Sequence, residues 1–410
     1  MIIKNVKIIN SQKPVSIIIE NEKIKKIDME NDFEKYKEVG NKIIDANYNY
    51  VIAGIIDPHT HMRDPGLNHK EDFNSGSKAA MRGGITTFLD MPNTIPNTIT
   101  KENLIQKKSM MSGKSYVDYG FHFGGNKTDN SEDIKSIKNE VASTKIFLNV
   151  STGNMLIEDD KILEKLFTAS KIVSVHAEGK MVDKAIEIAK RTGTTLYLCH
   201  LSLYSEIDSL KRAKDSGMKI YGEATPHHLF LNTENINEKN KTLLRMNPEL
   251  KEKSDNEALW KAIKDGTIDT IGTDHAPHLL SEKLDKLTFG IPSVEHSLEL
   301  MLKKVKDSTI DLKLLTKIMS ENSAKIFGIK NKGILKEGYD GDLTIVDLND
   351  ESEIIEKDII TKAAWSPYIN FKRGGRVIMT ILRGNTVYKY DSGLNENIFY
   401  SGFGKEIFYY

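Results

Sequence analysis

VIAGIIDPHTHMRDPG, residues 51–66, is the stretch on which the fold turns. An apolar run of strand type ends in Asp57-Pro58-His59-Thr60-His61. Residues two apart on a strand face the same side, so His59 and His61 point together. Two imidazoles converging at the C-terminal end of a strand make half a metal site, and that end is where barrel enzymes carry their active sites. His-x-His alone describes core or surface pairs equally well, so the rest of the chain has to decide.

Outward from this stretch, seven further strand-type runs follow: ITTFLDM, YVDYGFHF, TKIFLNV, KIVSVHA, TLYLCHL, MKIYGEA and TIDTIGTD. Amphipathic segments such as MVDKAIEIAKRTG and LYSEIDSLKRAKDSG lie between most of them. Strands alternating with helical patterns predict parallel βαβ units closed into an α/β fold, a (β/α)8 TIM barrel, over residues 51–330. An open doubly wound sheet is the competing architecture. It calls for a glycine-rich phosphate fingerprint after the first strand, and none is there.

The two ends read differently. Residues 1–50 contain IIKNVKII and SIIIENEKIKKI, and residues 331–410 contain DLTIVDL, GRVIMTILRG and NTVYKY with glycine-bearing turns between them. These are short β runs. Neither end has the apolar mass for a large core, which predicts that they pair into one small β-rich domain with the barrel inserted between them.

Lys+Arg and Asp+Glu both total 58 in the 410 residues, so no bulk charge marks the chain for nucleic acid or an anionic membrane. The N-terminal MIIKNVKIINSQ lacks the apolar core of a signal peptide, and VIAGII is too short to span a bilayer. A cytoplasmic address is the resulting expectation. The single cysteine, Cys199, excludes an intrachain disulfide and a cysteine-rich zinc module. Preceding His200 on its strand, it is expected to face the helices and serve packing.

Placed on a barrel, the remaining polar residues converge. Lys145 lies in the fourth run, His176 ends the fifth, His200 ends the sixth and Asp274 ends the eighth. With His59 and His61, five ligand-type residues share one rim and Lys145 projects inward toward them, a set suited to divalent metal. An ammonium beside metal ions is repelled, so the bland reading of Lys145 is a surface lysine or an ion pair. Burial and nearby cations favour the neutral amine, which reacts with CO₂ to give a carbamate. That anion could bridge two metals about 3.5–4 Å apart.

These motifs resemble those of the dihydroorotases of the amidohydrolase superfamily, over essentially the whole chain. The His-x-His-x-Arg-x-Pro-Gly signature stands at His59 to Gly66, Pro-Asn-Thr at Pro92-Asn93-Thr94, and Asp-His-Ala-Pro-His at Asp274 to His278. TKIFLN is similar to the segment bearing a carboxylated, metal-bridging lysine in part of the family, and VHAE and CHLS match its two histidine strands. GILKEGYDGDLTIVDL looks like the superfamily's return into the small β domain.

The resemblance implies that His59, His61 and Asp274 hold one Zn²⁺, that His176 and His200 hold a second, and that carboxylated Lys145 bridges both. It implies that His61, Arg63, Asn93, Asn247 and His278 bind substrate, with Phe289 and Gly290 contacting its ring through the backbone. It extends to a third Zn²⁺ on Glu223 and His228, as some relatives have. Arg63 is independently suited to a carboxylate by its planar fork, against the alternative of an ion pair with Asp64 or Asp72.

The implied activity is the reversible cyclisation of N-carbamoyl-L-aspartate to (S)-dihydroorotate with loss of water, a step of pyrimidine synthesis. Asp274 would be the proton shuttle. Hydantoinase or dihydropyrimidinase and allantoinase are the enzyme rivals, and a metal-free scaffold serving another pyrimidine enzyme is the non-enzymatic one. A homodimer or an association with such an enzyme stays open.

Overall fold

The computed structural model of the chain describes every residue except 39, 41, 152, 286 and 287. The expected barrel is present. Its strands are Ile55–Thr60, Ile85–Asp90, Asp118–Phe121 (extended by Phe123–Gly124), Thr144–Phe147, Ile172–His176, Thr195–Leu198, Ile220–Ala224 and Thr270–Ile271. Neighbours pair in parallel in chain order. The ring closes where Thr60 pairs with His275 and the His61 N–H donates to the His275 carbonyl at 2.8 Å.

Helices cover the outside, and their sequences show why. Lys180–Thr192 buries Val182, Ala185, Ile188 and Ala189, a stripe at helical spacing facing the strands. It ends at Gly193, whose φ of 69° gives the left-handed cap that stops a helix. Inside the barrel, Ile56, Leu89, Tyr197 and Cys199 pack with Phe327 and with Ile407 from the C-terminal segment. Among the described residues no helix is long and apolar enough to cross a membrane.

Both chain ends do build the small β domain. Lys23–Asp28, Val15–Glu20, Ile2–Val6 and Ile43–Asp45 form one sheet. Glu396–Phe399, Asn385–Asp391, Arg376–Leu382, Leu343–Asp347 and Tyr50–Ala53 form the other. Their common core includes Ile3, Ile17 and Val51 from the N-terminal part and Leu343, Ile345 and Ile381 from the C-terminal part.

The run VIAGIID, read as one strand, is divided at Gly54. Tyr50–Ala53 pairs antiparallel with Leu343–Asp347, and the barrel begins at Ile55. A Cβ at Gly54 would lie 2.1 Å from Thr86 Oγ1, so only glycine lets the two architectures meet this closely. Buried Lys332 fastens the join, lying 2.6 Å from Asp118 on the third barrel strand and 2.5 Å from Asp342 beside the small-domain sheet.

Candidate metal centre

Strand alternation delivers His59 and His61 to the rim as expected, and their second nitrogens are fixed from outside. His59 Nδ1 lies 2.7 Å from Glu223 Oε1, and His61 Nδ1 lies 2.8 Å from Asn93 Oδ1. Both partners are acceptors, so both rings carry their proton on Nδ1 and offer Nε2 to the centre. There Asp274 Oδ1 stands 3.3 Å from His59 Nε2 and 3.0 Å from His61 Nε2. The three ligand atoms lie within 4.8 Å of one another, a spacing that one metal ion can bridge.

The second half of the rim is histidine. His176 Nδ1 is 2.9 Å from His200 Nε2, and the ring centroids of His59 and His200 are 5.4 Å apart. His176 Nε2 and His200 Nδ1 are buried without a hydrogen-bond partner. Burial and the Lys145 charge push His176 down to about 3; burial, His176 and Lys145 push His200 well below the usual imidazole range. Burial thus favours the neutral form of both rings, and their facing nitrogens, 2.9 Å apart, are the pair that could converge on one metal ion.

The charge balance also fits metal. Although burial opposes charge, the Glu223 and Asp274 carboxylates raise His59 to about 10. The position between these carboxylates thus favours a cation, and a metal would displace the imidazolium proton. Asp274 is held well below the usual carboxylate range, burial being outweighed by His59 and His61.

Lys145 is buried, and its Nζ donates to Cys199 Sγ at 3.0 Å. The expectation that Cys199 faces the helices is thereby corrected. Alternation from Tyr197 carries Cys199 inward, and the φ of 37° at His200 breaks the pattern after it, so both side chains turn inward. Cys199 Sγ lies within 4.8 Å of ligand atoms of His59 and Glu223 as well.

Arg63, Asn247, Phe289 and Gly290 line the same cavity as Lys145 and the four histidines. Gly290 has a φ of 127°, and a Cβ there would approach the Ala276 carbonyl to 2.4 Å, so the wall demands glycine. Arg63 also lines an outer cavity of about 590 Å³ with Asn93 and His278. Its Nε donates to the Pro277 carbonyl at 3.1 Å, and no ion pair to Asp64 or Asp72 forms. Arg63, His200 and Asp274 all have positive φ, at 63°, 37° and 44°. Such backbone strain in residues other than glycine collects at functional sites.

Glu223 and His228 have other partners. Glu223 holds His59, the His200 N–H and the Tyr197 hydroxyl, while His228 uses Nδ1 on Thr225 and Nε2 on the Pro248 carbonyl. Sequence reasoning missed the anchoring roles of Glu223 and Asn93. Two further buried carboxylates reach well beyond their neighbours, Asp57 to Thr273 across 216 positions and Asp90 to buried Lys107 at 2.6 Å. Asp57 takes the Thr273 and His59 N–H groups at 3.0 and 3.1 Å, and Asp90 takes the Met62 N–H at 2.7 Å.

Known proteins resemble this chain in sequence and in fold. Residues 50–387 match the amidohydrolase family. A dihydroorotase of Methanosphaera stadtmanae is 37% identical over 96% of this chain and 98% of its own. One of Pyrococcus abyssi is 37% identical over 86% of each. In three dimensions the L-hydantoinase of Arthrobacter aurescens superposes with a TM-score of 0.90 over 99% of both chains at 24% identity, a likeness of fold.

Proposed function

The chain belongs to the amidohydrolase family, and from that premise we infer that it is a metal-dependent dihydroorotase, interconverting N-carbamoyl-L-aspartate and dihydroorotate in pyrimidine synthesis. The observation that carries this choice over a hydantoinase is Arg63. It is a buried guanidinium on the wall of the metal-type cavity, with His278 3.2 Å away. Dihydroorotate carries a ring carboxylate to meet it, whereas hydantoin and dihydrouracil do not.

We assign His59, His61 and Asp274 to one Zn²⁺ and His176 and His200 to a second, with Lys145, as its carbamate, between them. When bound, such a pair supplies a hydroxide near neutral pH and polarises the amide carbonyl. The protein supplies the rest. Arg63 and His278 hold the substrate carboxylate, and the 288–290 loop covers the ring. Asp274, kept ionised by His59 and His61, accepts a proton in the hydrolytic direction and returns it to the leaving ring nitrogen. In the biosynthetic direction it deprotonates the ureido nitrogen as the ring closes. A third Zn²⁺ on Glu223 and His228 would have to displace the partners both already hold, so the assignment rests on two.

The test is metal analysis joined to one substrate panel. Carbamoyl-aspartate and dihydroorotate should turn over with two metals per chain, and dihydrouracil, hydantoin and allantoin should not. Efficient turnover of dihydrouracil would move the protein to the dihydropyrimidinases.

A further inference from the structure

We propose that Lys70 is a positioning residue for substrate binding, fixing His278 as the Nε2–H tautomer so that its N–H is presented beside Arg63. The inference rests on the reading above that Arg63 and His278 receive the substrate carboxylate.

Among the described residues, three groups stand within hydrogen-bond distance of the His278 ring nitrogens. Lys70 Nζ lies 3.1 Å from Nδ1, the Phe289 carbonyl oxygen lies 3.0 Å from Nε2, and Arg63 Nη2 lies 3.2 Å from Nε2. An ammonium only donates and a carbonyl only accepts, so Nδ1 must be the acceptor and Nε2 the donor. The opposite tautomer would satisfy Arg63 alone, setting N–H against ammonium at Nδ1 and a lone pair against the carbonyl at Nε2. Two contacts outweigh one.

The ring is not charged. Burial, then Arg63, Lys70 and Lys283, push His278 down to about 2, and Glu282, the carboxylate that faces it among the described residues, stands 3.8 Å from Nδ1. Only the position of its proton is therefore in play. Glu282 in turn holds Lys70 at 3.5 Å, and both side chains are only about a tenth exposed, 11% and 12%. This ties the loop after the first barrel strand to the helix Leu280–Asp285 that follows the eighth. A plain surface ion pair would not account for an ammonium directed at an imidazole nitrogen.

The chemical consequence is a sign. With the proton on Nε2, His278 and Arg63 present two donors 3.2 Å apart, a contact that a carboxylate would relieve by accepting from Arg63 and sharing the Nε2–H with the Phe289 carbonyl. With the proton on Nδ1, a lone pair would face the incoming carboxylate. Lys70 thus sets whether His278 attracts or repels the substrate.

The experiment combines kinetics with nitrogen-15 NMR of histidine-labelled, metal-loaded enzyme, the His278 signals being identified by their loss in His278→Gln. Wild type should show a proton on Nε2 and a hydrogen-bonded, unprotonated Nδ1. Lys70→Met should mix the tautomers and raise KM for carbamoyl-aspartate about tenfold or more, while lowering kcat far less. Lys70→Arg should restore both. A wild-type proton on Nδ1, or an unchanged KM in Lys70→Met, overturns the proposal, as does a raised KM with the tautomer unaltered. If His278→Gln itself leaves KM unchanged, the fault lies in the carboxylate-receptor reading.

Discussion

Glu223 Oε1 stands 2.7 Å from His59 Nδ1, and both are buried in the barrel interior. Because a carboxylate only accepts, this bond fixes the ring's orientation and leaves Nε2 for a metal. Carboxylate partners of this kind also raise a ligand's basicity. Glu223→Gln should therefore weaken metal binding roughly 10–100-fold while saturating metal restores most activity. Competition with a chelator measures this, and unaltered affinity would show that Glu223 is only packing.

Arg63→Lys keeps the charge and loses the fork. KM for carbamoyl-aspartate should rise by about tenfold or more, the worth of a charge-assisted hydrogen bond, with a smaller loss in kcat. Steady-state kinetics in both reaction directions decide it, and a wild-type KM would remove Arg63 from the substrate site.

In Asp274→Asn the amide oxygen can still coordinate, but the side chain cannot take a proton. Bound metal should fall only modestly while kcat drops by roughly 10²–10⁴. Near-normal turnover in a metal-loaded variant would refute the proton-shuttle role.

For Lys145→Ala, metal content and activity should fall together, because the lost group is the one placed between the two metals. Small carboxylic acids added to the variant should restore part of both. A variant that keeps two metals per chain without them would rule out the bridging carbamate.

Lys283 offers a pH test away from the ligands. Its Nζ donates to the carbonyls of Arg245 and Gly290 at 2.7 and 3.1 Å, and burial, then Arg245 and Arg63, lower it from 10.5 to about 7. A base depressed on folding binds fewer protons in the native state. Its unfavourable contribution is thus complete below about 7 and is relieved as pH rises from there toward 10.5. Wild type should gain thermal stability relative to Lys283→Met across that window. A difference in Tm that stays constant would mean that the lysine titrates normally.

Much of the site was legible because a strand's alternation is strict while the strand lasts. His59, His61 and His176 could be placed on the rim from spacing alone, and Asp274 from the run that it ends. Cys199 was misplaced because alternation was counted back from His200, where a positive φ that no residue type announces breaks it. Glu223 was legible as an acid near the rim, but not as the holder of His59, which is a contact across 164 positions. Lys70 reaches its imidazole across 208 positions, so no local pattern could reveal it. The division at Gly54 was hidden for the opposite reason, since two strands of different sheets follow one another with a single residue between them.

The pairing of Tyr50–Ala53 with Leu343–Asp347 also bears on how the protein is made. From Ala53 to its partner Leu343 the ribosome must add 290 residues, the difference of the two positions. At about 5–20 residues per second that is a wait of roughly 15–60 s. The first barrel strand waits 215 residues for His275, the difference between positions 60 and 275. Throughout that interval the edge of Tyr50–Ala53 that faces Leu343–Asp347 has no partner strand, while the opposite edge can meet Lys7. The ring of strands, and the grouping of His59 and His61 with Asp274, can therefore be completed only once the eighth strand has emerged.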